Sequence, residues 1–116
     1  MTKQKIFDTV VAHLISMKQR SAENGSCLYR GPNGAKCAAG VLLPDSEYKP
    51  HYEGKVVFDV LYFEINYGDD ELFLINDLQE VHDEPSNWLD DLGFVGHACL
   101  MDIARTHELE WKHDGL

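Results

Sequence analysis

The sequence predicts one α+β domain that is predominantly helical, with a small β-hairpin-like element near residues 27–38. The chain has 116 residues and is 44% apolar, which is enough for one hydrophobic core but too little for two domains. Apolar residues recur at helical spacing in three separate stretches. The turn-forming sequence Gly31-Pro32-Asn33-Gly34 supplies a chain reversal. We therefore expect residues 1–116 to form a single compact domain.

The first predicted element is an amphipathic helix over residues 3–19. One side of its helical wheel carries the apolar residues Ile6, Phe7, Val10, Val11, Leu14, Ile15 and Met17. The dipeptide Asn24-Gly25 is expected to end this region before a short strand-like run over residues 27–30. The turn at residues 31–34 then reverses the chain.

The middle of the chain predicts a short helix, a loop and one ambiguous segment. Residues 37–43 suit a short buried helix that Pro44 stops, and a returning strand is the alternative. Residues 44–55 contain two prolines and a glycine, which predicts a surface loop. Residues 56–65 are rich in β-branched and aromatic side chains, which favour a strand. Because only one short run is available to pair with them, we predict a helix there.

Two further helices are predicted in the second half. The acidic residues 69–71 suit the positive end of a helix dipole, and the apolar arc that follows them ends near His82. Residues 84–86 break the chain, and Gly93 closes the short turn that follows. The last helix, over about residues 94–107, is apolar nearly all round, which predicts a place in the middle of the core.

The distribution of charge is the most unusual feature of the sequence. The chain has 20 acidic and 10 basic residues and a formal net charge of −10. Residues 56–104 contain no lysine or arginine, and all of the basic residues lie outside this acidic stretch. Such a segment repels itself unless its charges are spread over solvent or meet a positive surface. The acidic charge can serve solubility alone, or it can form a docking face for a basic partner or for the basic half of a second copy in a homodimer.

The docking interpretation makes a specific prediction of partner-binding residues. They are Asp69, Asp70, Glu71, Asp77, Glu80, Asp83, Glu84, Asp90 and Asp91. A negative field steers encounter with a positive groove and repels nucleic acid. The expected partner is therefore the basic, nucleic-acid-binding groove of another protein, and no direct binding of DNA or RNA is expected.

Composition also bears on compartment and cofactors. No apolar run is long enough to span a membrane, and no cleavable secretory signal is recognisable. The three cysteines are an odd number, so free thiols in a reducing cytoplasm are expected. Neither a C-x-x-C nor an H-x-x-x-H pair occurs, and the acidic clusters lack the spacing of a calcium loop. No metal and no cofactor are predicted.

The alternative function is a small thiol-dependent enzyme. Cys37 would lie at the start of a helix, where the dipole lowers the pKa of a thiol. His51 or His82 could serve as the base that such a nucleophile needs. The small neighbours of Cys37 instead favour a packed core thiol, and the place of His82 in an apolar arc favours a structural histidine. No catalytic residue is therefore assigned.

One part of the sequence resembles a group of viral proteins. Residues 27–45 read CLYRGPNGAKCAAGVLLPD and are followed by Tyr48 and Glu53-Gly54. This segment resembles one found in small uncharacterised proteins of bacteriophages and prophages, and residues 78–83 are similar to the second half of that group. The resemblance implies a small, mostly helical domain with no established catalytic residues. It also implies a protein that binds and blocks machinery of the host bacterium.

Overall fold

Four α-helices and two short antiparallel ribbons make up the part of the chain that the structure describes. The structure is a computed structural model, and it describes residues 2–23, 26–56, 59–61, 67–89 and 92–114. The predominantly helical α+β class predicted from the sequence is confirmed. In chain order the elements are α1 (Lys3–Ser16), β1 (Ala22–Glu23), β2 (Ser26–Cys27), α2 (Ala38–Leu42), α3 (Asp69–Asp83), β3 (Trp88–Leu89), β4 (Gly93–Phe94) and α4 (His97–Thr106).

Helix α1 forms the centre of the packing. Its first turn is capped by Thr2, whose hydroxyl oxygen accepts a hydrogen bond from the backbone N–H of Lys5 at 3.1 Å. Helix α1 contacts α2, α3 and α4, and burial of each large apolar side chain contributes about 1.5–3 kcal/mol. The predicted helix is confirmed, although it ends three residues early. Its fully buried side chains are Ile6, Phe7, Val10, Val11 and Leu14.

The first ribbon lies a few residues earlier than the predicted hairpin at 27–38. Ala22 pairs with Cys27 and Glu23 with Ser26, so the strands flank residues 24 and 25, which lie outside the described residues. The reversal at residues 31–35 is instead a single turn of 3₁₀ helix, closed by a 2.8 Å hydrogen bond from Gly31 N–H to the Ala35 carbonyl. The strands were predicted too far along the chain. Asn24-Gly25 was interpreted as the end of the first helical region, although Asn-Gly is also a strong hairpin signal.

Helix α2 is confirmed and is tightly packed. Its residues Ala38, Ala39, Gly40 and Leu42 are buried. Gly40 is required by this packing, because a Cβ atom there would collide with the carbonyl oxygen of Tyr29.

The predicted surface loop at residues 44–55 contains two single turns of 3₁₀ helix, Asp45–Glu47 and Pro50–Tyr52. Its Tyr52 is buried in the core rather than exposed. The helix predicted over residues 56–65 falls mostly outside the described residues. Residues 59–61 of that segment have π-helical backbone, and the Val60 N–H donates to the Val56 carbonyl at 3.3 Å.

Helix α3 agrees with its prediction, and α4 does not. Helix α3 packs its apolar arc on α1, α2 and α4. Helix α4 begins at His97, because Phe94 instead pairs with Trp88 in the second ribbon. The expectation that the last helix is buried on all sides is wrong. It lies against α3 with Leu100 and Ile103 turned inward and with Cys99, Met101 and Asp102 exposed.

The residues after α4 are fastened to the outer side of α1. The Gln4 side chain accepts a hydrogen bond from the Glu110 N–H at 2.9 Å and donates one to the Glu110 carbonyl at 3.1 Å. His113 lies 3.0 Å from an Asp8 carboxylate oxygen, and Trp111 meets the Phe7 ring edge-on. The buried apolar residues of the described ranges thus form one core cluster.

Candidate functional site

Helix α3 gathers acidic side chains on its outward side. Asp70, Asp77, Glu80 and Glu84 follow one another at intervals of seven, three and four residues, which places them along one stripe of a helix. Asp69 and Asp83 flank the stripe, and the whole set extends for about 20 Å at about 1.5 Å per residue. We call these six residues the acidic face: Asp69, Asp70, Asp77, Glu80, Asp83 and Glu84.

The basic side chains of the described residues form their ion pairs mostly away from the acidic face, although the Arg20 guanidinium donates to the Asp83 carbonyl oxygen at 2.8 Å. Within the described ranges, no lysine or arginine forms an ion pair with Asp69, Asp70, Asp77, Glu80 or Glu84. Arg30 and Lys36 pair with Asp45, Arg105 pairs with Asp102, and Lys112 pairs with Asp8 and Glu110. These four cations are therefore engaged away from Asp69, Asp70, Asp77, Glu80 and Glu84, and α3 retains a negative outer surface.

Three residues of the acidic face also have structural roles. A carboxylate oxygen of Asp77 lies 2.8 Å from Nε2 of His107 and ties α3 to the end of α4. Asp83 accepts a hydrogen bond from the Gln79 amide at 2.7 Å and lies 2.9 Å from Nδ1 of His82. Glu84 accepts from the N–H and the hydroxyl of Ser86. Asp69, Asp70 and Glu80 are exposed, which makes them available to a partner.

The predicted partner-binding residue Glu71 does not join the acidic face. Glu71 turns back toward the start of α3, where a Cβ atom on Gly68 would lie 2.8 Å from its carboxylate. In that position its negative charge interacts favourably with the positive end of the helix dipole rather than with a partner. Asp90 and Asp91 lie outside the described residues.

A groove with mainly apolar walls runs beside the acidic face, between α3 and α4. Its volume is about 280 Å³. Along its α3 side stand three members of the acidic face, so apolar surface and negative charge occur together. The groove is lined by Asp77, Glu80, Val81, Glu84, Asn87, Cys99 and Ile103.

Apolar side chains are also exposed near the charged surface. Phe73 is 58% exposed and follows Asp70 by three residues on α3. Leu89, Leu92 and Val95 are exposed on the second ribbon. Protein-binding surfaces commonly combine aromatic or aliphatic side chains with a charged rim, and this region has both.

The structure gives the predicted thiol and its two candidate bases different surroundings. Cys37 caps α2, and its sulfur accepts the Gly40 N–H at 3.2 Å. The side chain is 2% exposed, so a substrate would reach the sulfur only if the core opened. His51 is exposed on a 3₁₀ turn and packs against Tyr52.

His82 is held in a structural hydrogen-bond network. The backbone N–H of Ser21 donates to its Nε2 at 3.2 Å, and its Nδ1 faces Asp83 at 2.9 Å. The acceptor role of Nε2 fixes the tautomer with the proton on Nδ1. A lone pair that already accepts from Ser21 does not take a proton from a thiol, so His82 supports the structural interpretation.

A polar network around Arg30 and Glu53 was not predicted from the sequence. The Arg30 guanidinium donates to the carbonyl oxygens of Gly40 at 2.8 Å and Leu43 at 2.6 Å. The Glu53 carboxylate accepts from the backbone N–H groups of Tyr29 at 2.8 Å and Arg30 at 3.1 Å. Arg30, Gly40 and Leu43 lie within residues 27–45 and Glu53 follows them, so these contacts hold that part of the chain together.

Comparison with protein-family models, with curated protein sequences and with solved structures found no match in any of the three. In the described ranges, no three histidine, cysteine, aspartate or glutamate side chains come together as a metal site would require. None of the helices described is both long enough and apolar enough to pass through a membrane.

Proposed function

We propose that this protein is a small acidic binding protein whose acidic face docks on the basic, nucleic-acid-binding groove of a partner protein. The observation that supports the proposal is that Asp69, Asp70, Asp77, Glu80 and Glu84 form no ion pair with a lysine or arginine among the described residues. Such a surface presents negative charge at a spacing of several ångströms, as a nucleic-acid backbone does. The partner's groove would therefore bind either the nucleic acid or this protein, but not both at once.

The biological setting belongs to the same proposal. The resemblance of residues 27–45 to phage and prophage proteins favours an inhibitor that acts in the cytoplasm of a host bacterium. By this proposal the protein binds no nucleic acid itself, because its carboxylates repel phosphate. A homodimer that joins the basic half of one copy to the acidic face of another would compete with the partner for the same surface.

The proposal is tested by capture from nuclease-treated bacterial lysate, followed by a direct competition assay. Captured proteins are identified at about 0.1 M and about 1 M salt, between which the Debye length falls from about 10 Å to about 3 Å. Each purified candidate is then assayed for binding to DNA or RNA with and without this protein. We expect a salt-sensitive partner whose nucleic-acid binding is lost as the protein is added.

A pair of charge-reversed variants provides the control. The Asp70→Lys/Glu80→Lys variant changes two exposed carboxylates of the acidic face. The Glu108→Lys/Glu110→Lys variant makes the same change in net charge at two exposed residues beyond α4. Only the first variant should lose the partner. Equal binding by both variants, or binding that is indifferent to salt, would contradict the proposal.

A further inference from the structure

The groove between α3 and α4 differs chemically on its two sides. Val81 and Ile103 form its floor, and both are nearly buried. Asp77, Glu80 and Glu84 stand along one rim over about 10 Å of helix. The opposite rim carries Cys99, a thiol that is exposed to solvent.

The charged groups around the groove leave a net negative rim. Asp77 contacts His107, and Arg105 on α4 is paired with Asp102. Among the described residues that line the groove there is no lysine or arginine. The Asn87 amide at one end donates to the Val81 carbonyl at 2.9 Å. Among the described residues, Glu80 and Glu84 therefore face the groove without a lysine or arginine partner.

We propose that this groove binds a peptide segment of the partner protein that presents an arginine beside an apolar side chain. This inference rests on the proposed function and specifies which part of the surface recognises the partner. The aliphatic part of arginine would pack on Val81 and Ile103, and its guanidinium would reach the carboxylates of Glu80 and Glu84.

The size and charge of the groove favour this occupant. At about 280 Å³ it falls just below the range of about 300–1,000 Å³ typical of small-molecule sites, so it suits one or two side chains. Its carboxylate rim disfavours an acidic peptide or a phosphate. A purely apolar side chain would cover the carboxylates without pairing them, which costs free energy.

The test uses a synthetic helical peptide with arginine and leucine on one face, and Cys99 reports on the groove. The reaction of Cys99 with iodoacetamide is followed by mass spectrometry of the fragment that contains it, and the buried Cys37 serves as a slow internal reference. We expect the peptide to slow alkylation of Cys99 severalfold. A peptide with neutral citrulline in place of arginine, or serine in place of leucine, should protect much less.

Variants separate the groove from the rest of the acidic face. Glu80→Gln/Glu84→Gln should weaken peptide binding about tenfold, in line with the loss of a charge-assisted hydrogen bond. The control Glu108→Gln/Glu110→Gln should bind as the unchanged protein does. Equal protection by the citrulline peptide, or peptide binding that leaves Cys99 alkylation unchanged, would overturn the groove proposal.

Failure of this proposal is distinguishable from failure of the proposed function. If Asp69→Asn/Asp70→Asn weakens the captured partner and Glu80→Gln/Glu84→Gln does not, the acidic face binds outside the groove, so the function stands and the groove proposal fails. If Cys99 becomes protected at high protein concentration without peptide, a second copy occupies the groove, and the proposal is overturned in favour of self-association.

Discussion

The Arg30 guanidinium donates a 2.6 Å hydrogen bond to the carbonyl oxygen of Leu43, the C-cap residue of α2. A second bond to the Gly40 carbonyl, at 2.8 Å, satisfies another acceptor of the same helix terminus. A helix of five residues is too short to persist without such support. Arginine is suited to the position for two reasons. Its positive charge is stabilised by the negative end of the helix dipole, and its planar guanidinium carries several hydrogen-bond donors.

Replacing Arg30 should therefore destabilise the whole domain. We expect Arg30→Met, which keeps the apolar stem, to lower the free energy of unfolding by about 2–3 kcal/mol, because partly buried carbonyls lose a charged donor. Urea unfolding followed by circular dichroism measures the change. The exposed Lys18→Met serves as the control and should stay within about 0.5 kcal/mol of the unchanged protein. An equal midpoint for both variants would show that Arg30 does not support α2.

Substitution of Glu53 should change both stability and a tyrosine titration. Its carboxylate accepts from the Tyr48 hydroxyl at 2.7 Å as well as from two backbone N–H groups. Burial, together with the bond to Glu53 and its charge, raises the pKa of Tyr48 to about 12. In Glu53→Gln that pKa should fall toward 10, and the free energy of unfolding should decrease by about 2 kcal/mol.

Ultraviolet titration of tyrosinate measures this shift, and a Tyr48→Phe variant identifies which part of the curve belongs to Tyr48. A Tyr48 titration that is the same with glutamate or glutamine at position 53 would rule out this role for the Glu53 carboxylate.

His13 should make the protein less stable in mild acid. Burial lowers the pKa of His13 below its usual 6.5, an effect larger than the opposing hydrogen bond to the Lys36 carbonyl. Above pH 6.5 the ring is neutral in both the folded and the unfolded chain. As the pH falls below that value the unfolded chain takes up the proton first, so stability is lost down to the folded pKa.

The His13→Gln variant tests this pH dependence, since it keeps a donor for Lys36 but has no titrating group. Urea midpoints measured at about pH 7.5 and about pH 5.5 give the loss for each protein. The variant should lose less stability than the unchanged chain. Because the other histidines are present in both, a loss of the same size would exclude His13 as the source.

Local patterns predicted the helices whose apolar stripes face a core, but not the contacts between distant segments. Helices α1 and α3 were predicted correctly, because their buried residues repeat at a spacing that the sequence itself displays. Helix α4 was predicted as buried on all sides. Its exposed Met101 and Cys99 show that apolar residues do not by themselves indicate burial.

The candidate site was predictable only in part, for the same reason. The helical spacing of Asp70, Asp77 and Glu80 predicts a shared face, and the structure places them on one. The groove beside that face exists only because α4 lies against α3. The spacing of residues within one helix does not predict which other helix it packs against. The backbone N–H groups of Tyr29 and Arg30 donate to the Glu53 carboxylate across more than twenty positions of the sequence. A local motif does not reveal a contact between residues so far apart.

Placing a positive charge on the acidic face should stabilise the protein while it removes binding. Glu80 lies three residues after Asp77 and three before Asp83, all within α3, and like charges at such helical spacings cost about 0.2–0.5 kcal/mol per pair. Glu80→Lys turns both repulsions into attractions, so we expect the free energy of unfolding to rise by about 0.5–1 kcal/mol at low salt. Added salt should reduce the difference.

Thermal unfolding at low and high salt measures the gain, and Glu108→Lys is the matched control, since it makes the same charge change at an exposed residue beyond α4. A carboxylate that costs stability on α3 indicates that this surface serves something other than folding, such as binding or solubility. If Glu80→Lys destabilises the fold, the carboxylate has a structural role on α3. Its retention would then give no support to a binding surface.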